Sequence, residues 1–398
     1  SSDVCSSDLA TVSATIGAVG GGFINASGSS SREMLIYTAG SSTVLTINAA
    51  VGGIIVPSPN GLTKSGEGTV ILGAAQNSYT GQTRINLGTL KLAPATSTSN
   101  ALFYVFTTAP TISTLISTLN ASALTVNAGG TFDLNGNSQT TGNFTSVGVL
   151  PGTGGTVTNS STTASTLTVA SSAAADWAGQ ITGDATHVIN FVKTGAFTLS
   201  MHDNNSYTGS TTVQGNVLSL IDQGRLSGTS GIFVRSAVLQ WNDTGIQAMS
   251  NRLASNVPLT LDGGAFQFIS RSGTAGYASI GDLTLSGAAN ELRLDVGASA
   301  GAGTGIGTAT LNITGTLSRS LGATLNFYAG TGTMGDNPSI LFTSAPTLSN
   351  GIIGGWATVI GLDSTVASTT ANAEFATYDP IAGVRGLTAA MQTTSFAT

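Results

Sequence analysis

The 398-residue sequence predicts an all-β solenoid, and three observations carry that reading. Apolar residues alternate with Thr, Ser or Asn in short runs, the period-two mark of a half-buried strand. Each run ends in Gly, Asn, Asp or Ser, residues that tolerate turn conformations. The pattern continues from about residue 11 to about residue 390 without a Pro-rich or charge-rich linker. A single sandwich or barrel rarely exceeds about 250 residues. A solenoid has no such ceiling, because each coil contacts only its neighbours.

The strand runs follow one another in order. They include Thr43-Val44-Leu45-Thr46-Ile47-Asn48, Leu124-Thr125-Val126-Asn127 and Leu167-Thr168-Val169. Leu259-Thr260-Leu261-Asp262, Leu283-Thr284-Leu285-Ser286, Leu292-Arg293-Leu294-Asp295 and Leu311-Asn312-Ile313-Thr314 continue the series. Thr is β-branched and suits the outer face of a pleated surface. The one candidate helix, Thr111–Ala123, reads as well as two strands. Coils of roughly 20–25 residues are expected, the usual range for such repeats.

Composition narrows the function classes. Only 8% of residues are charged, while 53 Gly, 48 Ser and 60 Thr make up two fifths of the chain. Hydrophobic residues reach 40%, which excludes charge-driven disorder. Twelve basic residues and a net charge of −6 exclude the positive footprint that nucleic acid requires. No apolar run reaches the length of a membrane-spanning helix. The single Cys5 excludes an internal disulfide and a Cys-rich metal site. It lies in Ser1–Leu9 (SSDVCSSDL), which matches nothing downstream and reads as a non-native leader, so residues 10–398 are expected to form one continuous passage.

Two segments repeat. Residues 62–92 read LTKSGEGTVILGAAQNSYTGQTRINLGTLKL, and residues 191–220 read FVKTGAFTLSMHDNNSYTGSTTVQGNVLSL. Lys64 aligns with Lys193, Gly66 with Gly195, Tyr79-Thr80-Gly81 with Tyr207-Thr208-Gly209, and Leu90 and Leu92 with Leu218 and Leu220. The lysine-glycine pair leads into a strand. The tyrosine caps the interior with its hydroxyl on water or a turn carbonyl, and the closing leucines point inward.

These segments resemble the autotransporter-associated β-strand repeat, also called the passenger-associated transport repeat. Gly61-Leu62-Thr63-Lys64-Ser65-Gly66-Glu67-Gly68-Thr69 follows its pattern almost throughout. The second copy departs: Ala196-Phe197 stand where Gly68 and its successor stand in the first, and Asn216 replaces the glycine before Val217-Leu218. Gly130–Gln139 resembles a coil that often follows such repeats, and residues of about 350–390 resemble a module of large repeat-rich bacterial surface proteins. The resemblance implies an elongated right-handed parallel β-helix, a passenger exported through the outer membrane of a Gram-negative bacterium. It implies an outer-membrane barrel, in cis or missing from this chain, and repeats that aid translocation and folding. The chain is expected to be an internal piece of a longer protein, at the cell surface or outside the cell.

Candidate chemistry is sparse. His202-Asp203 and His187 with Asp184 sit at turns and read as polar turn groups. Asp282, Glu291, Arg293 and Asp295 lie close in sequence and read as outward strand residues. Gly301–Gly307 imitates a dinucleotide fingerprint without a strand-to-helix context. Trp177, Trp241 and Trp356 would make a sugar-binding stripe only if the coils aligned them, and otherwise belong to core or caps. No catalytic residue, metal site or cofactor is expected. The expected role is a surface adhesin or stalk, with a host or neighbouring-cell glycan or protein as partner. A β-helix enzyme acting on polysaccharide and an inert spacer are the alternatives. An array of small sandwiches is a third, which antiparallel ladders would reveal.

Overall fold

The computed structural model describes residues 13–17, 23–24, 33–52, 61–96, 100–103, 122–254, 256–297, 307–361 and 372–387. Among the described residues there are 37 strands and no helix. The readings of Ser1–Leu9, of most of Thr111–Ala123 and of 301–306 fall outside them. The chain divides into two compact units, Ser1–Thr211 and Thr212–Thr398.

The first unit winds. Strand Gly61–Ser65 leads into Thr69–Leu72, and the chain turns through Asn77 and Tyr79. It returns as Thr83–Ile85, parallel to the first strand, and Gly88–Leu92, parallel to the second. Each circuit therefore lays one coil on the last, which is the architecture of a parallel β-helix. Period-two alternation sends every second side chain inward. Val70, Leu90, Phe132, Val157 and Ile181 pair in sequence across five strands and are all fully buried. Each such side chain contributes roughly 1.5–3 kcal/mol of burial.

Coil length is where the sequence expectation needs correction. Thr69 pairs with Thr89, a step of 20 residues, but Gly88 pairs with Gly130, a step of 42. Only the strand pairs fix the coil. The chain between paired strands can lengthen at small entropic cost.

The second unit repeats the principle on three sheets. Leu218, Leu239, Phe266, Leu292, Phe327 and Val359 form a continuous inward column of parallel partners. Here too the steps vary: Ala265 pairs with Glu291 and Glu291 with Asn326, 26 and 35 residues on. The described part of the module at 350–390 departs from the parallel rule. Asn372–Asp379 runs antiparallel to both Ala357–Gly361 and Gly383–Gly386. Tyr378 docks there on the strand Ser339–Phe342: its hydroxyl donates to Phe342 O and accepts from Phe342 N, both at 3.1 Å. The ladders that build both units are parallel, so the array of sandwiches is set aside.

Candidate functional site

The repeat is the first candidate, and the structure turns most of it inward. Lys64 is fully buried. Its Nζ donates to Ser65 O, Gly66 O and Leu87 O at 3.1, 2.6 and 2.8 Å. The lysine ties the turn after its own strand to the turn one coil further on. Lys193 is buried in the same way and donates to Thr194 O at 3.0 Å. Burial lowers both amines to about 8, because an ammonium loses its hydration. These are turn-bonding groups and not solvated ones.

The glycine after each lysine is a steric requirement. Gly66 and Gly195 have φ of 79° and 86°. A Cβ on Gly66 would lie 2.2 Å from Thr38 O, and one on Gly195 2.5 Å from Ser171 O, both on the preceding coil. Gly68 is as tight: a Cβ there would meet Thr43 O at 2.5 Å. The substitution of Asn216 for the family glycine is conformationally faithful. Gly88 has φ 69° and Asn216 has φ 53°, a region that Asn tolerates.

The tyrosines sit differently from expectation. Tyr79 and Tyr207 are fully buried, and their hydroxyls meet Thr83 Oγ1 and Thr211 Oγ1 at 2.8 and 2.7 Å. The partner is the threonine four residues on, so the motif Tyr-Thr-Gly-x-Thr carries its own hydrogen bond. Burial pushes both phenols up. Tyr79 packs edge-on to Phe103 with ring centroids 6.1 Å apart, and Tyr207 lies 6.0 Å from Phe191. Thr80 and Thr208 are half-exposed, with Thr80 O accepting from Ser122 Oγ and Thr208 Oγ1 donating to Asp184 O. Gly81 is half-exposed, and Gly209 N donates to Ile189 O at 3.1 Å. Leu90, Leu92, Leu218 and Leu220 are fully buried.

Two residues of the repeat escape composition-based reading. Asn77 and Asn205, each two positions before the tyrosine, are fully buried. Asn77 Oδ1 accepts from Val51 N at 2.8 Å, and its Nδ2 donates to Ala101 O at 2.6 Å. Asn205 Oδ1 accepts from Ile181 N at 3.0 Å. Each amide supplies a backbone partner where the coil turns and the ladder is interrupted. Both stand in the shared Asn-Ser-Tyr-Thr-Gly string, which was the available signal.

Other ionisable groups close on themselves. His202 Nε2 meets Asp176 Oδ1 at 3.0 Å, a residue of the preceding coil, while its sequence neighbour Asp203 accepts from Gly152 N and Asn204 N. His187 Nδ1 meets both oxygens of Asp184, and that bond, with backbone donors from His187 and Thr186, holds the Asp184 carboxyl down to about 2. Lys91 and Asp133 pair at 3.4 Å on adjacent coils. Nothing in the sequence singled out Arg252 and Asp243. They form a fully buried pair at 2.9 Å, and Arg252 also donates to Gly224 O and Gln247 O. Burial pushes the Asp243 carboxyl up and the Arg252 guanidinium down, and their pairing opposes both. Among the described residues no group of three His, Cys, Asp or Glu could hold a metal ion.

The tryptophans form no stripe. Trp177 is buried and stacks on Phe144 at 4.0 Å, and Trp241 is buried edge-on to Phe268. Trp356 lies under the Arg319 guanidinium, 5.1 Å from its ring.

The outward face of the second unit carries a built polar row. Ser219 Oγ donates to Gln240 Oε1, Gln240 Nε2 to Gln267 Oε1, and Gln267 Nε2 to Asp295 Oδ2, at 2.9, 2.9 and 2.7 Å. Arg293 grips Asp295 through two nitrogens and lies 4.9 Å from the Tyr328 ring. The sequence cluster of Arg293 and Asp295 is thus real, with the glutamines of two earlier coils added. Asp282 stands apart in the turn before the strand Leu283–Gly287, where Thr316 holds its carboxyl down.

The passenger-associated-transport-repeat family matches residues 62–92 and 191–220. No curated protein and no solved structure matches the chain. The two matched stretches lie on a parallel coil, an arrangement consistent with a passenger that carries such repeats. The chain carries two copies of the passenger-associated transport repeat, at the two places where buried lysines close the turns.

Proposed function

We propose that this chain is a coil-forming segment of a passenger displayed at the surface of a Gram-negative bacterium, working as an adhesin or stalk without catalysis. The observation that carries it is the pair of repeats on a parallel coil. Their polar residues are spent on the coil itself: buried lysines, asparagines and tyrosines satisfy turns and neighbouring strands. Such a coil completes strand pairing coil by coil, which suits a chain that folds as it emerges from a pore. The family repeat is tied to passenger translocation and folding, and the chain takes the same role here. A barrel in cis and a partner on a host or neighbouring cell complete the reading.

The non-enzymatic part is supported by the fate of the ionisable groups. His187, His202, Lys91 and Arg252 each face a carboxylate and are engaged in pairs. The test uses cells expressing the full open reading frame. Antibody against the chain labels intact cells, and external protease removes the label. Purified chain added in excess reduces adhesion of those cells. Label only after lysis overturns surface display, and adhesion unchanged by competitor favours an inert spacer.

A further inference from the structure

The outer face of the second unit holds a trough beside the polar row. Its volume is about 460 Å³, and Asn216, Ser236, Gly263, Ala265, Ala289 and Glu291 line it. It follows the turn before four successive strands, Val217–Leu220, Val238–Asn242, Ala265–Ile269 and Ala289–Asp295. Four stacked coils span about 14 Å.

The trough is open because of an unusual column. Each turn holds a residue with a left-handed backbone: Asn216 (φ 53°), Ser236 (46°), Gly263 (65°) and Ala288 (49°). A Cβ on Gly263 would sit 3.2 Å from Ala288 Cβ and 3.6 Å from Ser236 Oγ, so these turns stack directly. Ser and Ala rarely adopt this conformation, and such strain persists only where surrounding structure holds it. Here the buried Asn290 braces two of the four turns, those of Gly263 and Ala288. Its Oδ1 accepts from Gly263 N, and its Nδ2 donates to the carbonyls of Gly287, Ala288 and Thr324. The result is a rigid floor of small side chains.

The polar row runs parallel to this trough, about 7 Å along the same strands. Val238 and Gln240, Ala265 and Gln267, Glu291 and Arg293 are successive outward residues, and Gln240, Gln267 and Arg293 are register partners. Each glutamine nitrogen uses one N–H within the row and has a second to offer.

We infer that this face binds a linear, uncharged glycan, laid across the coils with its rings in the trough and its hydroxyls on the amide row. The argument is one of matched period and matched charge. Coils recur every 4.8 Å or so, close to the length of one pyranose residue. Amides both donate and accept, as sugar hydroxyls require. The only ionised group in the trough lining is Glu291, so an acidic polymer is repelled and a cationic one finds little to hold. A peptide strand is disfavoured, since it needs an open sheet edge, and the strands here are paired on both sides. The inference rests on the surface-exposed reading above and names its ligand class.

The test is affinity electrophoresis and calorimetry of the 398-residue chain with soluble dextran, mannan and xylan, and with alginate and heparin as charged comparisons. At least one uncharged polymer is retained, and the charged ones are not. Ala265→Trp fills the centre of the trough and weakens binding about tenfold or more, the scale of a few lost contacts. Gln267→Ala weakens it several-fold with the floor intact, and so covers a folding failure of the first variant. Thr260→Trp, outward on another sheet, leaves binding within twofold. Retention of no uncharged polymer, preference for a charged one, or binding indifferent to both trough and row variants overturns the inference. A chain that blocks cell adhesion yet retains no glycan refutes the glycan site and leaves the adhesin reading standing.

Discussion

Lys64→Met isolates the physics of the repeat. The change keeps the side chain's length and removes a buried ammonium with three carbonyl partners at 2.6–3.1 Å. Leaving a buried acceptor unpaired costs about 1–3 kcal/mol each. Ser65 O keeps a second donor in Thr38 N at 3.1 Å, which places the total toward the lower end. Against this, the variant no longer buries a charge. Lowering the amine from its ordinary 10.5 to about 8 corresponds to about 3 kcal/mol. The carbonyls favour the ammonium, so that figure is an upper bound. The net loss at pH 7 is roughly 0–3 kcal/mol. The pH dependence is more telling. The folded amine titrates near 8 and the unfolded one near 10.5. Between these values the unfolded chain binds more protons, so wild-type stability rises with pH across that window. The variant lacks this contribution, while Lys193 contributes equally to both proteins. Urea denaturation followed by circular dichroism at pH 7, 8.5 and 10.5 reads the difference. The gap widens toward pH 10.5 by up to about 3 kcal/mol. A gap that stays constant with pH, or that narrows toward pH 10.5, refutes the buried, charge-penalised lysine.

Further outcomes follow from the same coordinates. Gly66→Ala combines a φ of 79° with a Cβ 2.2 Å from Thr38 O, and loses roughly 2–5 kcal/mol in the same denaturation assay. Asn216→Gly, at an open left-handed position, stays within about 1 kcal/mol of wild type. Asp243→Ala strands the buried Arg252 and lowers thermal stability by about 3–5 kcal/mol, whereas Asp243→Leu with Arg252→Met recovers most of that loss. His187→Ala removes the main bond holding Asp184 down, so carbon-detected NMR titration shows that carboxyl rising from about 2 toward its ordinary value.

Much of this was written locally. The runs of Leu-Thr-Leu and Leu-Thr-Val become strands because alternation has the period of the pleat, and that period needs no knowledge of the partner strand. Leu90, Leu92, Leu218 and Leu220 point inward as their spacing requires. The twin Asn-Ser-Tyr-Thr-Gly strings mark equivalent corners. The lysine was harder to place. A lone Lys among Thr and Gly reads as either a solvated or a turn-bonding group, and the choice rests partly on the Leu87 carbonyl 23 residues away. The tyrosine's partner lay four residues on, yet only the fold shows that the corner excludes water.

The sequence by itself determined the all-β class, the winding of strands and the identity of the repeat. These follow from periods and motifs that act within a few residues. Tertiary structure alone decided which coils swell from 20 to 42 residues and where parallel pairing gives way to antiparallel strands. It also decided that Arg252 meets Asp243 in the interior, and that four left-handed turns align into a trough. The physical reason is register. A neighbour in this fold stands one coil away, and turns of unequal length hide from the sequence which residue that neighbour is.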